Sequence, residues 1–405
     1  MFRIRPMNRN TRMIPFFRPA LGQAEIAAMR RVIRRGWLTT GPEAMAFEAE
    51  FASFLERTNT RNKESIKTLA VNSATAGLHL ALESLGIGRG DLVAVPSLTF
   101  TATASTIRHL GANPIFIDSE PITGNIDPAD IARAFSEAER DKRRIKAIIP
   151  VHLAGHPCDI GRIRTAIGNR HVPIVEDAAH AFPSKTQAGM AGSLGDIGVF
   201  SFYATKTITC GEGGMVATRN SAYLERMRLM RSHGIDRTAW NRYNSETSRR
   251  PWEYDIVAAG FKYNLSDLAA ALGREQLKRA DRLLKLRLNL ARQYISMLAD
   301  INEITLPGNC LGHSWHLFII RLQDNATRNL LFDALHRNGI DCSVHFVPLH
   351  RMQYWKNRYN LDPKDFRVAD RLGDVSLSLP LWPGLKSKDL RRISKAIRSF
   401  FGARA

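Results

Sequence analysis

Pro173-Ile174-Val175-Glu176-Asp177-Ala178-Ala179-His180-Ala181 is a brief apolar run that ends in two acids, and its reading decides the fold class. Apolar residues at consecutive positions mark a strand covered on both faces. Similar runs lie to either side: Thr68-Leu69-Ala70-Val71, Leu92-Val93-Ala94-Val95, Pro114-Ile115-Phe116-Ile117 and Ala147-Ile148-Ile149-Pro150-Val151. Helical stretches separate most of them, which predicts a mostly parallel α/β sheet through about residue 200. Such sheets place their ligands at the carboxyl ends of the strands, where Glu176 and Asp177 fall.

Further out, apolar spacing predicts helices over Gln23 to Ile33 and Glu43 to Leu55, with a Gly/Pro-punctuated loop between them. Val199-Phe200-Ser201-Phe202 and Gly214-Met215-Val216-Ala217-Thr218 read as strands. Leu265 to Ala291 reads as one long, mostly helical stretch. After about residue 310 a new α/β rhythm begins: a strand at His316 to Leu322, a helix at Asn329 to Asn338 and a terminal helix at Lys388 to Phe400. The expected organisation is a basic arm (1–13), a large α/β domain (14–290) and a smaller C-terminal α/β domain (291–405).

The composition is that of a globular chain: 405 residues, 44% hydrophobic and 24% charged. No apolar run is long enough to span a bilayer, so membrane insertion is not expected. Met1 to Arg12 lacks the apolar core of a signal peptide and reads as a loose arm on a cytoplasmic protein. Cys158, Cys210, Cys310 and Cys342 show no CxxC spacing, so buried free thiols are expected and no metal site. The net charge of +20 is unusual. It could attract an anionic surface or a phosphorylated substrate, and Arg140-Asp141-Lys142-Arg143-Arg144 could serve as a phosphate patch or simply as a solvated turn. No nucleic-acid motif accompanies it, and no nucleic-acid partner is expected.

Three local features could carry chemistry. In Val71-Asn72-Ser73-Ala74-Thr75-Ala76-Gly77-Leu78 a strand runs into small and hydroxyl residues and then a helix, a phosphate cradle or an ordinary N-cap. Asp177 could keep a pyridinium ring protonated, with His180 beside it, or the pair could be a cap and a packed ring. Lys206, framed by Thr205 and Thr207 and followed by glycines, suits an amine activated for Schiff-base formation, though any single lysine is by default a surface one. The glycine spacing of a P-loop is absent before it, which excludes nucleotide hydrolysis of that kind.

Taken together, FSFYATKTITCGEGG (200–214), EDAAHA (176–181) and NSATAGLHLAL (72–82) resemble the DegT/DnrJ/StrS family of fold-type-I, pyridoxal phosphate (PLP)-dependent sugar aminotransferases. The resemblance continues in order through IPFFRPALGQAEI (14–26), GWLTTGP (36–42), PSLTFTATAS (96–105), GANPIFID (111–118), PVHLAGHPCDI (150–160), GFKYNLSDLAAALG (260–273), VHFVPLH (344–350) and SLPLWPG (378–384).

This resemblance implies a large sheet domain with a smaller C-terminal domain, and PLP as cofactor with its pyridoxamine form (PMP) between half-reactions. It implies that Lys206 forms the internal aldimine and shuttles the proton, that Asp177 pairs with the pyridine nitrogen, and that His180 sits near the ring oxygen. Phe100 would stack on the ring. Ser73, Ala74, Thr75 and Ser201 would bind the phosphate, and Asn264 would reach the phosphate of the other subunit's cofactor in an obligate homodimer. The implied partners are L-glutamate and a nucleotide-linked keto-sugar, aminated at C4, for cell-envelope polysaccharide or a glycosylated metabolite. Lys262-Tyr263-Asn264, with the Thr-Ile-Thr-Cys after Lys206 and the segment His313 to Arg321, resembles the branch that makes UDP-4-amino-4-deoxy-L-arabinose. Alternatives are C3 amination, a related dehydratase (which carries His at the lysine position) and a non-enzymatic regulator that keeps the fold.

Overall fold

The computed structural model describes residues 12–58, 64–237, 240, 243, 250, 252–308 and 310–402. The basic arm lies outside them but for its last two residues. Seven strands form the central sheet: β1 (Lys67–Val71), β2 (Leu92–Pro96), β3 (Asn113–Ile117), β4 (Ile145–Ile148), β5 (Val175–Asp177), β6 (Ile197–Ser201) and β7 (Gly214–Thr218). The order is β3-β2-β4 in one ladder and β5-β6-β7-β1 in the next. Parallel bridges Ile148↔Ile174 and Val151↔Asp177 join the two ladders. Only β7 runs against its neighbours, so the sheet is mostly parallel, as the apolar runs predict.

Helices cover both faces: α1 (Gln23–Arg35), α2 (Pro42–Glu56), α3 (Ala74–Ser84), α4 (Ala102–His109), α5 (Pro128–Arg140), α6 (Ile160–Ile167), α7 (Ser221–Met230) and α8 (Asp267–Lys278). Alternate residues of one strand serve opposite cores, because side chains switch faces at each position. Val93 and Val95 pack with Leu78 of α3 and Ile107 of α4, while Leu92 and Ala94 pack with Ile131 of α5 and Ile163 of α6. On the latter side of the sheet, Phe200 and Met215 meet Phe47 and Phe51 of α2.

A second, smaller sheet pairs β8 (Phe318–Arg321) antiparallel with β9 (Ser376–Leu379). It packs with α9 (Ala280–Leu298), α10 (Asn325–Arg337) and α13 (Ser387–Phe400), while α11 (Gln353–Tyr359) and α12 (Arg367–Val375) lie in the connection between its strands. Ile14 and Leu290, both counted with the large domain in the sequence reading, pack into this core. Two local expectations change. The strand expected over 147–151 breaks after Ile148, since Pro150 has no N–H to donate, and only Val151 rejoins the sheet as a single bridge. The long helical stretch is two helices, interrupted at Arg279, whose backbone leaves helical geometry.

Candidate active site

Parallel strands deliver their carboxyl ends to one edge, and a cavity of about 370 Å³ opens there. β1 leads into Ser73, β2 into Thr99 and Phe100, β5 ends on Asp177 and β6 on Ser201. Because β7 is antiparallel, its first residue, Gly214, and Gly213 just before it arrive at this edge too. The segment between β6 and β7 carries Lys206 into the cavity.

The two acids of β5 part company on opposite faces. Glu176 is consumed by structure: it accepts from the N–H groups of Gly192 (2.8 Å), Leu194 (2.7 Å) and Gly195 (2.6 Å) and from His152 Nε2 (2.9 Å). Burial opposes its charge, but these donors hold its carboxyl below the usual range. Asp177 lines the cavity, 5% exposed, with Thr103 Oγ1 donating to Oδ2 at 2.8 Å and the Ala179 N–H to Oδ1 at 3.1 Å. No ion pair forms on Asp177 among the described residues, and burial raises its pKa against the pull of those donors and of Lys206.

His180 is set by its backbone contact. Its Nδ1 accepts the Ala154 N–H at 3.3 Å, which puts the ring proton on Nε2. Burial, then Lys206 and His345, push its pKa well below the ordinary value, so the ring is neutral. His316 packs on it with ring centroids 4.4 Å apart, and Phe346 at 5.7 Å.

Lys206 follows a tight turn in which its N–H bonds Tyr203 O at 3.0 Å. Its amine lies within the cavity walls, where burial lowers the pKa to about 8 against the charge of Asp177. About a tenth of the amine is then unprotonated at neutral pH, far more than for a solvated lysine.

At the cavity's other end α3 begins. Ser73 caps it, its Oγ accepting the Ala76 N–H at 3.1 Å, and the N–H groups of Ala74 and Thr75 have no acceptor within the helix. This approach needs glycine: a Cβ on Gly214 would stand 2.8 Å from Ala74 N and from Phe200 O, and one on Gly77 would stand 2.8 Å from Val199 Cγ1.

The cavity thus gathers Ser73, Ala74, Thr75, Phe100, Asp177, His180, Ser201 and Lys206 from the sequence expectation. Asn264 is not among its lining residues. It bridges to Val71 at the end of β1 and donates from Nδ2 to Thr40 Oγ1 at 2.8 Å. Phe100 lines the cavity yet is 58% exposed, as is Tyr203 at 45%. Residue-type reasoning passed over Thr103, His316, His345 and Phe346. Only the quoted motifs hinted at them: the segments around 316 and 345 for the last three, and PSLTFTATAS (96–105) for Thr103.

The model of the DegT/DnrJ/EryC1/StrS aminotransferase family matches residues 19–398. The chain is 37% identical over 398 residues to the spore coat polysaccharide biosynthesis protein SpsC of Bacillus subtilis (strain 168), covering 97% of this chain and 98% of that one. Spr1654 of Streptococcus pneumoniae, solved in a PLP form and in a PMP form, superposes with a TM-score of 0.84 at 31% identity, covering 96% and 98% of the two chains. PseC of Helicobacter pylori, an aminotransferase involved in the biosynthesis of pseudoaminic acid, gives 0.85 at 26% identity, covering 96% and 100%.

Proposed function

Because the chain belongs to the DegT/DnrJ/EryC1/StrS aminotransferase family, we propose that it moves an amino group from L-glutamate to the C4 ketone of a UDP- or dTDP-linked keto-sugar, using PLP. The observation that carries this reading is one cavity holding both Lys206 and the unpaired, buried carboxylate of Asp177 beside the start of α3. These residues fit the cofactor. A buried carboxylate without an ion pair suits a protonated pyridine nitrogen, a partly deprotonated amine suits carbonyl attachment, and the free N–H groups of Ala74 and Thr75 suit a phosphate.

When bound, PLP supplies the electron sink that lets an amine leave one carbon and join another. Asp177 holds the proton on the ring nitrogen, its oxygens aimed by Thr103 and the Ala179 N–H. His180 offers its Nε2 proton to the ring oxygen, since Nδ1 is already engaged. Lys206 Nζ takes and returns the proton at the carbon that loses or gains the amine. Phe346 and the rings of His180 and His316 form a wall that keeps water from that carbon.

A homodimer completes this reading. Asn264 bonds Thr40 rather than lining its own chain's cavity, while Phe100 and Tyr203 line the cavity and leave apolar surface in solvent, where a second copy would cover it. The choice of C4 and of the arabinose-forming branch rests on Lys262-Tyr263-Asn264 and the segment around His313. The test is to load the protein with PMP, offer UDP-, dTDP- and GDP-linked 4-keto-sugars, and analyse the nucleotides by mass spectrometry and NMR. A nucleotide sugar bearing a new C4 amine is expected; recovery of unchanged keto-sugar from every reaction overturns the proposal.

A further inference from the structure

Thr205 and Lys206 also line a second and much smaller space, of about 10 Å³. That is room for one water-sized particle. Its walls come from the Lys206 turn (Thr205, Lys206, Thr207), from the segment Phe17–Ala20 and from Arg287 of α9. None of the residues lining it is acidic.

Arg287 is the unusual member. It is 3% exposed and has no carboxylate partner among the described residues. Nη1 alone is satisfied, donating to Trp315 O (3.1 Å), His316 O (3.3 Å) and Leu381 O (2.9 Å). Nε is buried without an acceptor, and Nη2 has none among the described residues. Burial depresses its pKa to about 10 with no acid opposing the shift. Arginine keeps its proton nonetheless, so a full positive charge stands here without a counter-charge. The Thr207 hydroxyl, also buried, lacks a partner among the described residues, and Arg18 lines the same space.

A buried charge calls for pairing and its donors for acceptors. Water would answer the second need and leave the first. We infer that this space binds a small monovalent anion, chloride, held by Nη2 of Arg287 and the hydroxyl of Thr207. The ion ties the Lys206 turn to the stretch Trp315–His316, whose second residue walls the main cavity. The anion therefore stabilises the seam between the two cores whatever sugar the enzyme uses.

Crystals of the full chain, grown without chloride and soaked in sodium bromide, test this directly. An anomalous bromine peak between the Arg287 guanidinium and the Thr207 hydroxyl is expected; ordinary water density without anomalous signal overturns the inference. In solution, the holoenzyme should melt higher in sodium chloride than in sodium gluconate at equal ionic strength. Thr207→Val should lose most of that difference while melting close to wild type in gluconate. No chloride shift in the wild type, or an equal shift in both proteins, overturns the inference. A bromide peak without any chloride-dependent shift marks an adventitious ion only, and overturns it too. Arg287→Lys, which keeps the charge but loses the fork, should also lose the shift.

Discussion

Thr103 donates its hydroxyl proton to the buried carboxylate of Asp177 at 2.8 Å, and accepts that of Thr99 at 2.9 Å. The bond stabilises the charged form of an acid that burial otherwise drives toward neutrality. Thr103→Val keeps the shape and removes the donor. We expect PLP affinity to fall by about one to two orders of magnitude, since a hydrogen bond to a charged group is worth ~1.5–3 kcal/mol. Equilibrium dialysis checks this; an unchanged dissociation constant would show that the bond aims nothing that the cofactor feels.

Glu176 and Asp177 are adjacent, yet their isosteric variants should separate cleanly. Glu176→Gln turns an amide toward donor N–H groups and should destabilise the fold by ~2–4 kcal/mol, with whatever protein folds remaining active. Asp177→Asn should fold with near-normal stability and lose amine transfer by at least ~100-fold. Denaturant melts beside single-turnover assays decide it, and the reverse pattern would reassign the two roles.

Lys206's own contribution to the stability of the cofactor-free protein, read as the difference between wild type and Lys206→Met, should rise with pH from about 8 to 10.5. In that window folded Lys206 has shed the proton that the unfolded chain still holds, so unfolding takes up a proton and alkali opposes it. Below pH 8 both states are charged and the folded state bears the full cost of burial. Lys206→Met should erase this rise and be more stable at pH 7, by at most about 3.5 kcal/mol at ~1.4 kcal/mol per pH unit. It should also lose the visible absorption of lysine-attached PLP. A variant that keeps the absorption, or the alkaline rise, moves the attachment elsewhere.

Gly214→Ala is expected to damage the phosphate end. Its Cβ would stand 2.8 Å from Ala74 N, Ser73 C and Phe200 O, all backbone atoms that cannot swing aside. We expect ~2–4 kcal/mol of destabilisation and a loss of PLP binding exceeding that of Ser73→Ala, which removes only a cap worth ~1 kcal/mol. Parallel melts and titrations of the two variants give the order.

Much of this was legible in the sequence because each strand is buried on both faces, and continuous apolar runs such as Leu92 to Val95 have no other economical explanation. The residues that end those strands were legible for the same reason, which is how Asp177, Ser201 and Ser73 fall together. What escaped was whatever depends on contacts across long chain separations. Thr103 is an ordinary helical threonine until α4 is packed beside β5. His316 and Phe346 belong to the C-terminal part of the chain, and nothing in their local spacing says that they meet His180. Nor could residue types reveal which of two neighbouring acids faced the cavity, since that depends on which face of β5 the helices leave open.

The antiparallel strand of the central sheet, β7, has an evolutionary corollary. A loop that leaves a parallel strand can lengthen freely, because the chain has a whole helix in which to recover its place. The segment between β6 and β7 has no such slack: Ser201 pairs with Gly214, and Phe202 N bonds Gly213 O at 2.8 Å, so both of its ends are pinned to adjacent positions. Insertions that reshape substrate choice should therefore accumulate in the other loops of this edge. The stretch bearing Lys206 should keep its length while the rest of the rim diversifies around it.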